Sequence, residues 1–150
     1  QKLKPLLIGK IAPNIALTDR AGKTFNLHDL ESEYTLLVIW AYDCGHCKQS
    51  APFWKSFYEK FKDKGVKLLA LCHVPEKELP TCWKYVDENG YGAWLHASDP
   101  LFRYAKAYNV ESTPQVYLMD RNKVIIGKQI VAEKMEEVIA QIIELRKKNK

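Results

Sequence analysis

Two cysteines separated by two residues, Cys44 and Cys47, closely follow the apolar run Leu36–Trp40 and lead into a segment with helical periodicity. The first turn of a helix offers unpaired backbone N–H groups and the positive end of the helix dipole, and both stabilise a thiolate. We expect Cys44 to lie exposed at or just before this turn, with Cys47 beneath it and within disulfide reach. The pair predicts electron exchange with other proteins' thiols: Cys44 attacks a partner disulfide and Cys47 resolves the mixed disulfide.

Metal and haem sites also use closely spaced cysteines, but the surrounding sequence does not favour them. A zinc site needs about four ligands, and the chain has no second Cys-x-x-Cys motif. Haem attachment requires a histidine directly after the second cysteine, where this chain has Lys48. We expect no metal and no cofactor besides the redox-active disulfide Cys44–Cys47. A static disulfide, or a module whose thiolates hold copper(I), is the non-enzymatic alternative.

Four residues around the cysteines are candidate site residues. The imidazole of His46, as a donor or partial cation, would stabilise the Cys44 thiolate and make the disulfide more readily reduced; a solvated loop histidine is the alternative. The ring of Trp40 is expected near the active-site turn, although core packing alone explains it. Tyr42 and Asp43 flank the site and either contact substrate or belong to a solvated loop.

Hydrophobic periodicity predicts an α/β fold in which helices cover a mixed sheet. Leu36–Trp40 is continuous enough in apolar residues to be a central strand, and the helix after it contains Pro52, which should bend it. Asp99 is a candidate helix cap. The predicted extended pieces and strands are 15–17, 24–26, 36–40, 66–72, 94–96, 115–119 and 124–130, and the predicted helices are 47–64, 79–89, 100–108 and 133–148. The last helix should bury Met135, Val138, Ile139, Ile142, Ile143 and Leu145.

Composition indicates an ordinary globular protein with one domain spanning residues 1–150 and a flexible segment at 1–8. The chain has 150 residues, 47% of them hydrophobic and 27% charged, and a net charge of +5. Its basic residues are scattered except near the C-terminus, which argues against nucleic-acid binding. No run approaches the roughly 18 apolar residues of a membrane span. Because the chain begins at Gln1 without an initiator Met or a leader, we expect it to be trimmed.

Two further cysteines, Cys72 and Cys82, fall at the end of a predicted strand and the start of a predicted helix. We expect two buried, unpaired side chains. The alternatives are a second disulfide across the loop 74–81, or an auxiliary relay to the first pair. His73 and His96 are interpreted as surface or core histidines and not as ligands.

The chain resembles thioredoxin-fold proteins, and more narrowly the TlpA/ResA branch of extracytoplasmic thiol–disulfide oxidoreductases. The resemblance runs from about Gly9 to the C-terminal helix. It is carried by the opening segments 9–13 and 17–23, by 40–48 around the cysteines, by Pro52 and by Ser112-Thr113-Pro114. It implies a thioredoxin-like three-layer sandwich with an N-terminal β-hairpin extension.

The resemblance also implies roles for particular residues and a setting for the protein. Pro114 would be cis and lie beside Cys44, leaving the Thr113 backbone free to pair with an extended substrate. The resemblance also makes Gly45 a supporting residue of the active site. The sequence Cys-Gly-His-Cys is shared with protein disulfide isomerases, which implies a moderately oxidising reduction potential for the Cys44–Cys47 pair. Substrates would be protein or peptide disulfides, with an upstream thiol–disulfide donor or acceptor. The location would be periplasmic or otherwise extracytoplasmic in a bacterium.

The chain departs from this family pattern at two positions. Val38 stands where thioredoxins carry a buried aspartate, and Ser50 where several TlpA/ResA members carry a glutamate. The proton acceptor for Cys47 is therefore open. A peroxiredoxin-like peroxide reductase is the other enzymatic alternative, but the segment 39–43 lacks the proline and threonine that precede the peroxide-attacking cysteine in that family.

Overall fold

The strands and helices follow one another in the predicted order. The structure is a computed structural model that describes residues 6–149. Strands β4 and β6 have the predicted bounds, whereas β7 is shorter than its prediction. The strands are β1 (Ala16–Asp19), β2 (Thr24–Asn26), β3 (Tyr34–Trp40), β4 (Val66–Cys72), β5 (Leu95–Ser98), β6 (Gln115–Met119) and β7 (Ile125–Lys128), and the helices are α1 (Gly45–Phe61), α2 (Leu79–Glu88), α3 (Arg103–Ala107) and α4 (Met135–Lys148).

The seven strands form one mixed sheet in the order β2-β1-β5-β4-β3-β6-β7. Strand β3 lies between β4, to which it is parallel, and β6, to which it is antiparallel. All seven residues of β3 are buried. Leu36, Val38 and Trp40 belong to one core and Leu37 and Ile39 to the other, because successive side chains of a strand point to opposite faces. The three-layer α/β prediction is confirmed, and the connection 41–44 leads from the fully buried strand β3 to Cys44.

The predicted N-terminal hairpin is present and extends the sheet. Strands β1 and β2 pair antiparallel, and β1 also pairs with β5. The turn between them is closed by Asp19, whose Oδ1 accepts the N–H groups of Ala21 and Lys23 at 2.9 Å each. Gly22 has a φ of +88°, which glycine adopts without the steric cost that a Cβ would bring.

Three helix predictions need correction. Helix α1 spans Gly45–Phe61 and not 47–64, because Cys44 is its N-cap. Helix α3 begins only at Arg103, because Phe102 has a left-handed φ of 53° that a helix cannot include. Asp99, the predicted cap, is not the N-cap of α3, which is Phe102. Its carboxylate nevertheless accepts the N–H groups of Leu101 and Arg103 at 3.1 and 3.0 Å. In α4, Leu145 is 60% exposed and not buried. It lies off the apolar stripe, and the next residue, Arg146, reaches inward to Asp120 at 3.2 Å.

The N-terminal segment predicted to be flexible lies mostly outside the described residues. Residues 1–5 are not described, and the Leu6 carbonyl accepts a hydrogen bond from Lys128 Nζ at 2.9 Å. Among residues 6–149, no helix combines the length and the apolar character needed to cross a membrane.

His96 is buried within an aromatic cluster on strand β5. Its side chain is 2% exposed, and its Nε2 donates to the Tyr91 carbonyl at 2.6 Å. Its Nδ1 has no hydrogen-bond partner among the described residues. The ring centroids of Trp40, Trp83 and Trp94 lie 5.6 to 6.4 Å from the imidazole. Burial lowers the pKa of His96 to about 4, so this imidazole is neutral in the folded protein.

We predict that His96→Gln reduces the pH dependence of the free energy of unfolding between about pH 6.5 and 4. The histidine titrates near 6.5 when exposed and near 4 in the folded chain, so the unfolded chain binds more protons between these pH values. The free energy of unfolding therefore falls as the pH drops through this window, by on the order of 3 kcal/mol. Urea unfolding across the window measures the slope. Gln141→Ala, at an exposed residue with no titratable side chain, is the control and should keep the wild-type slope; a wild-type slope in His96→Gln would contradict the assignment.

Candidate active site

Cys44 is the N-cap residue of helix α1. Its backbone is extended, with φ −95° and ψ 117°, and its Sγ accepts the N–H of Cys47 at 3.1 Å. Its carbonyl accepts the N–H of Lys48 at 3.0 Å, and its own N–H donates to Ala41 at 3.3 Å. The sulfur therefore occupies the place where a capping side chain satisfies the free N–H groups of the first turn.

The surroundings of Cys44 favour its thiolate. Burial alone would raise the pKa of this half-buried thiol. Hydrogen bonds from the Cys47 thiol, from the Thr113 side chain and from the N–H groups of Cys47 and His46 outweigh burial, and they hold the pKa of Cys44 below its ordinary value. All of these groups donate toward a sulfur at the positive end of the helix. Cys44 is the more acidic thiol of the pair.

Cys47 lies one turn further along α1 and faces the core. It is 1% exposed, and burial followed by its hydrogen bond to Cys44 raises its pKa to about 12. The surroundings therefore lower the pKa of Cys44 and raise the pKa of Cys47, although the two thiols are only three residues apart. This is the separation of roles that one attacking and one resolving cysteine require.

The loop before β6 brings Thr113 and Pro114 against Cys44. The peptide bond between these two residues is cis, as expected. When Cys44 is protonated, its Sγ donates to the Thr113 carbonyl at 3.5 Å. A thiolate cannot make that bond, and the Thr113 side chain contributes to lowering the pKa of Cys44. The structure therefore places the Thr113 carbonyl at the reactive sulfur, with the cis bond to Pro114 directly after it.

The structure gives the positions of Trp40, Gly45 and His46 and leaves their predicted roles as predictions. Trp40 is 3% exposed and shares a core with Cys47, while a Cβ added at Gly45 would meet no atom within 4 Å. His46 is exposed, and none of the side-chain hydrogen bonds described within residues 6–149 joins its imidazole to Cys44. Its backbone N–H is the part that favours the thiolate. The role of the imidazole stays a prediction.

An open groove of about 600 Å³ runs along the His46 side of the site. Its lining includes Ser50 and Trp54 of α1, Val116 of β6 and Pro114. The groove thus borders the loop whose Thr113 carbonyl contacts the Cys44 sulfur.

The expectation that Cys72 and Cys82 are unpaired is wrong. Both side chains are buried, as expected, but their sulfurs are joined in a disulfide. The two cysteines are ten positions apart in the sequence, and the loop between them turns back toward the end of β4. Sequence spacing alone does not specify the path of this loop. Within residues 6–149, no group of histidine, cysteine, aspartate and glutamate side chains has the arrangement of a metal site.

Comparison with known proteins also indicates thiol–disulfide chemistry, in agreement with the geometry of Cys44 and Cys47. The sequence pattern of the Redoxin family matches residues 7–143. The thiol–disulfide oxidoreductase ResA of Bacillus thuringiensis is 31% identical over 130 residues, which cover 87% of this chain and 73% of that protein.

The chain belongs to the Redoxin family.

Solved structures agree with this membership and with its TlpA/ResA-type branch. A domain of a possible thiol-disulfide isomerase from Cytophaga hutchinsonii has a TM-score of 0.85 and 34% identity, covering 97% of this chain and 99% of that one. A putative thiol:disulfide interchange protein DsbE from Chlorobium tepidum has a TM-score of 0.78 and 26% identity, covering 93% and 97%. This Redoxin-family chain is a thiol–disulfide oxidoreductase with a thioredoxin-like fold.

The two departures from the family pattern are buried positions beside the cysteines. Val38 is fully buried in β3, and Ser50 is 2% exposed on α1, one turn after Cys47. No carboxylate of the described part of the chain hydrogen-bonds to Cys47. This oxidoreductase therefore has neither of the acidic side chains that its relatives would lead one to expect at the resolving thiol.

We predict that iodoacetamide modifies Cys44 at least about tenfold faster than Cys47 near neutral pH, because only thiolates react. Each thiol is measured alone, Cys44 in Cys47→Ser and Cys47 in Cys44→Ser, by mass spectrometry of the modified peptides. The rate at Cys44 should reach half its maximum below pH 9.0, the ordinary value. A midpoint at or above that value would contradict the assignment of Cys44 as the acidic thiol.

Proposed function

We propose that Cys44 and Cys47 carry out dithiol–disulfide exchange with protein or peptide partners, with Cys44 as the attacking and Cys47 as the resolving thiol. One observation carries the proposal. The half-exposed Cys44 sulfur caps the first turn of α1 and accepts the Cys47 N–H at 3.1 Å, while Cys47 lies buried beneath it.

In the first step, the Cys44 thiolate attacks one sulfur of a partner disulfide. A bond forms between the two sulfurs, the partner's own S–S bond breaks, and its second sulfur leaves as a thiolate. The backbone N–H groups of the first helical turn are already oriented toward the Cys44 sulfur, so no rearrangement is needed to hold the charge before attack.

In the second step, Cys47 attacks the Cys44 sulfur and releases the partner's remaining thiol. Cys47 must lose its proton as it attacks, and burial opposes this by raising its pKa to about 12. Val38 and Ser50 offer no acidic side chain at the two family positions, so the proton passes to the partner sulfur that leaves Cys44 in the same step. The oxidised product is the disulfide Cys44–Cys47, and the partner has gained two electrons.

The substrates are extended polypeptide segments that carry a disulfide. The groove of about 600 Å³ has room for several side chains. The backbone at Thr113, next to the Cys44 sulfur, offers groups that pair with an extended chain as a strand edge does. An upstream thiol–disulfide partner resets the pair, and the sulfurs themselves carry the electrons without another cofactor.

An oxidising, extracytoplasmic compartment, such as the bacterial periplasm, is the proposed location. The support is the buried disulfide between Cys72 and Cys82, because disulfides persist where the surroundings do not reduce them.

We predict that Cys47→Ser traps partners covalently on Cys44. Without the resolving thiol, the mixed disulfide accumulates, and turnover of a protein disulfide falls at least about a thousandfold. Non-reducing electrophoresis followed by mass spectrometry of the reductant-released proteins identifies the partners. Cys44→Ser is the matched control and should trap nothing. If the two variants trap the same proteins in equal amounts, Cys44 is not the attacking thiol.

We also predict that Ser50→Glu accelerates the resolving step about tenfold near neutral pH, because a positioned carboxylate acts as a general base for Cys47. Single-turnover mixing of the reduced protein with a protein disulfide, followed by quenching, measures the release of the second partner thiol. Ser50→Gln has nearly the same shape but no basic group, and should stay at the wild-type rate. Equal acceleration by both substitutions would attribute the change to shape and contradict the prediction.

A further inference from the structure

Two connections leave the sheet side by side at the reactive end of the molecule. Trp40 and Cys72 are register partners at the ends of the parallel strands β3 and β4, and the N–H of His73 donates to the Trp40 carbonyl at 2.7 Å. One connection, residues 41–44, leads to α1 and contains Cys44. The other, residues 73–78, leads to α2.

Side chains hold the connection 41–44 from two directions. On one side, the Cys44 sulfur contacts the Thr113 carbonyl at 3.5 Å. On the other, the hydroxyl of Tyr42 donates to Glu78 Oε1 at 2.7 Å. Within residues 6–149, these are the only side-chain hydrogen bonds from this connection to the other loops. The hydrogen bond to Glu78 raises the pKa of Tyr42, so the phenol remains a donor.

Glu78 is itself held in place by a covalent bond four residues away. It ends a single turn of 3-10 helix, Glu76–Glu78, and its N–H donates to the Pro75 carbonyl at 2.9 Å. Cys82, in the first turns of α2, is bonded to Cys72 at the end of β4. Because both of these sulfurs are buried, the bond fixes the start of α2 to the strand next to β3.

Helix α2 also contacts the far side of the Cys-Gly-His-Cys segment. The ring centroid of Tyr85 lies 6.0 Å from that of Trp40, and Lys48 Nζ lies 5.9 Å from the Tyr85 centroid. The region around α2 therefore touches the residues before Cys44 and the residue after Cys47.

We infer that Tyr42 and Glu78 are positioning residues for Cys44, and that the Cys72–Cys82 disulfide fixes the Glu78 carboxylate in the place where Tyr42 can reach it. The inference deepens the proposed function, because it rests on Cys44 being the attacking thiol. Reactive groups keep a productive geometry only when the side chains and loops around them are themselves fixed. Here Tyr42 and Glu78 help to keep the Cys44 sulfur where it accepts the Cys47 N–H at 3.1 Å.

The test measures the alkylation of Cys44 by iodoacetamide in a Cys47→Ser background, as a function of pH. Tyr42→Phe removes only the hydroxyl and should slow the reaction near neutral pH about threefold, a factor that corresponds to part of one hydrogen bond. It should also move the midpoint of the pH–rate curve upward. Glu78→Ala should do the same, and Glu78→Gln, whose amide oxygen still accepts, should restore most of the lost rate.

A matched control separates positioning from general loss of structure. Tyr58→Phe removes a tyrosine hydroxyl that donates to the Ala93 carbonyl at 3.1 Å, away from the cysteines, and should leave the curve unchanged. The double variant Tyr42→Phe/Glu78→Ala should be no slower than either single variant, because both remove the same bond. Additive losses, or an unchanged curve in Tyr42→Phe, would overturn the inference. Faster alkylation in Glu78→Ala would also overturn it, since Glu78 would then act through its charge.

The disulfide is tested by Cys72→Ala/Cys82→Ala in the same background, with circular dichroism to confirm folding. The midpoint of the Cys44 pH–rate curve should move upward, as in Tyr42→Phe. When Tyr42→Phe is added to the variant without the disulfide, the additional shift should be smaller than the shift that Tyr42→Phe causes in the protein with the disulfide. A full additional effect of Tyr42→Phe would show that the disulfide does not fix Glu78. Alkylation needs no protein substrate. A failure here therefore leaves the trapping result intact, whereas failure of trapping overturns the proposed function.

Discussion

The hydrogen bond from the Cys47 N–H to the Cys44 sulfur is the interaction on which the rest of the site depends. It exists because a strand buried on both faces ends four residues before a helix begins, leaving the sulfur at the first free N–H groups. The same geometry turns the second cysteine inward, where burial makes it a poor acid. One short connection therefore produces both halves of a disulfide-exchange pair.

Much of the fold was predictable because hydrophobic periodicity directly reports which faces are buried. Strand β3 and the helix after it follow from such patterns, whereas the hairpin at β1 and β2 was implied by the family resemblance. Predictions failed where backbone conformation or a polar contact decided the outcome. Phe102 delays the start of α3 through its left-handed φ, and Arg146 takes the inward position beside Leu145 through its bond to Asp120.

The site was predictable to a similar extent. Cys44, Cys47 and the cis bond at Pro114 come from a local motif and from a family resemblance, and both are visible in the sequence. The Cys72–Cys82 disulfide and the Tyr42–Glu78 hydrogen bond were not predictable, because each joins residues through the path of a loop. Tyr42 and Glu78 are 36 positions apart in the sequence, and no pattern in the chain relates them; the register of β3 with β4 brings the two loops together.

The unequal exposure of the two sulfurs has a kinetic consequence. In the proposed exchange, an incoming thiolate meets the outer sulfur of the Cys44–Cys47 disulfide, so the partner that restores the dithiol approaches the same face as the partner that consumed it. On this proposal the two partners bind one after the other. The expected kinetics are therefore a ping-pong sequence in which donor and acceptor compete for one surface.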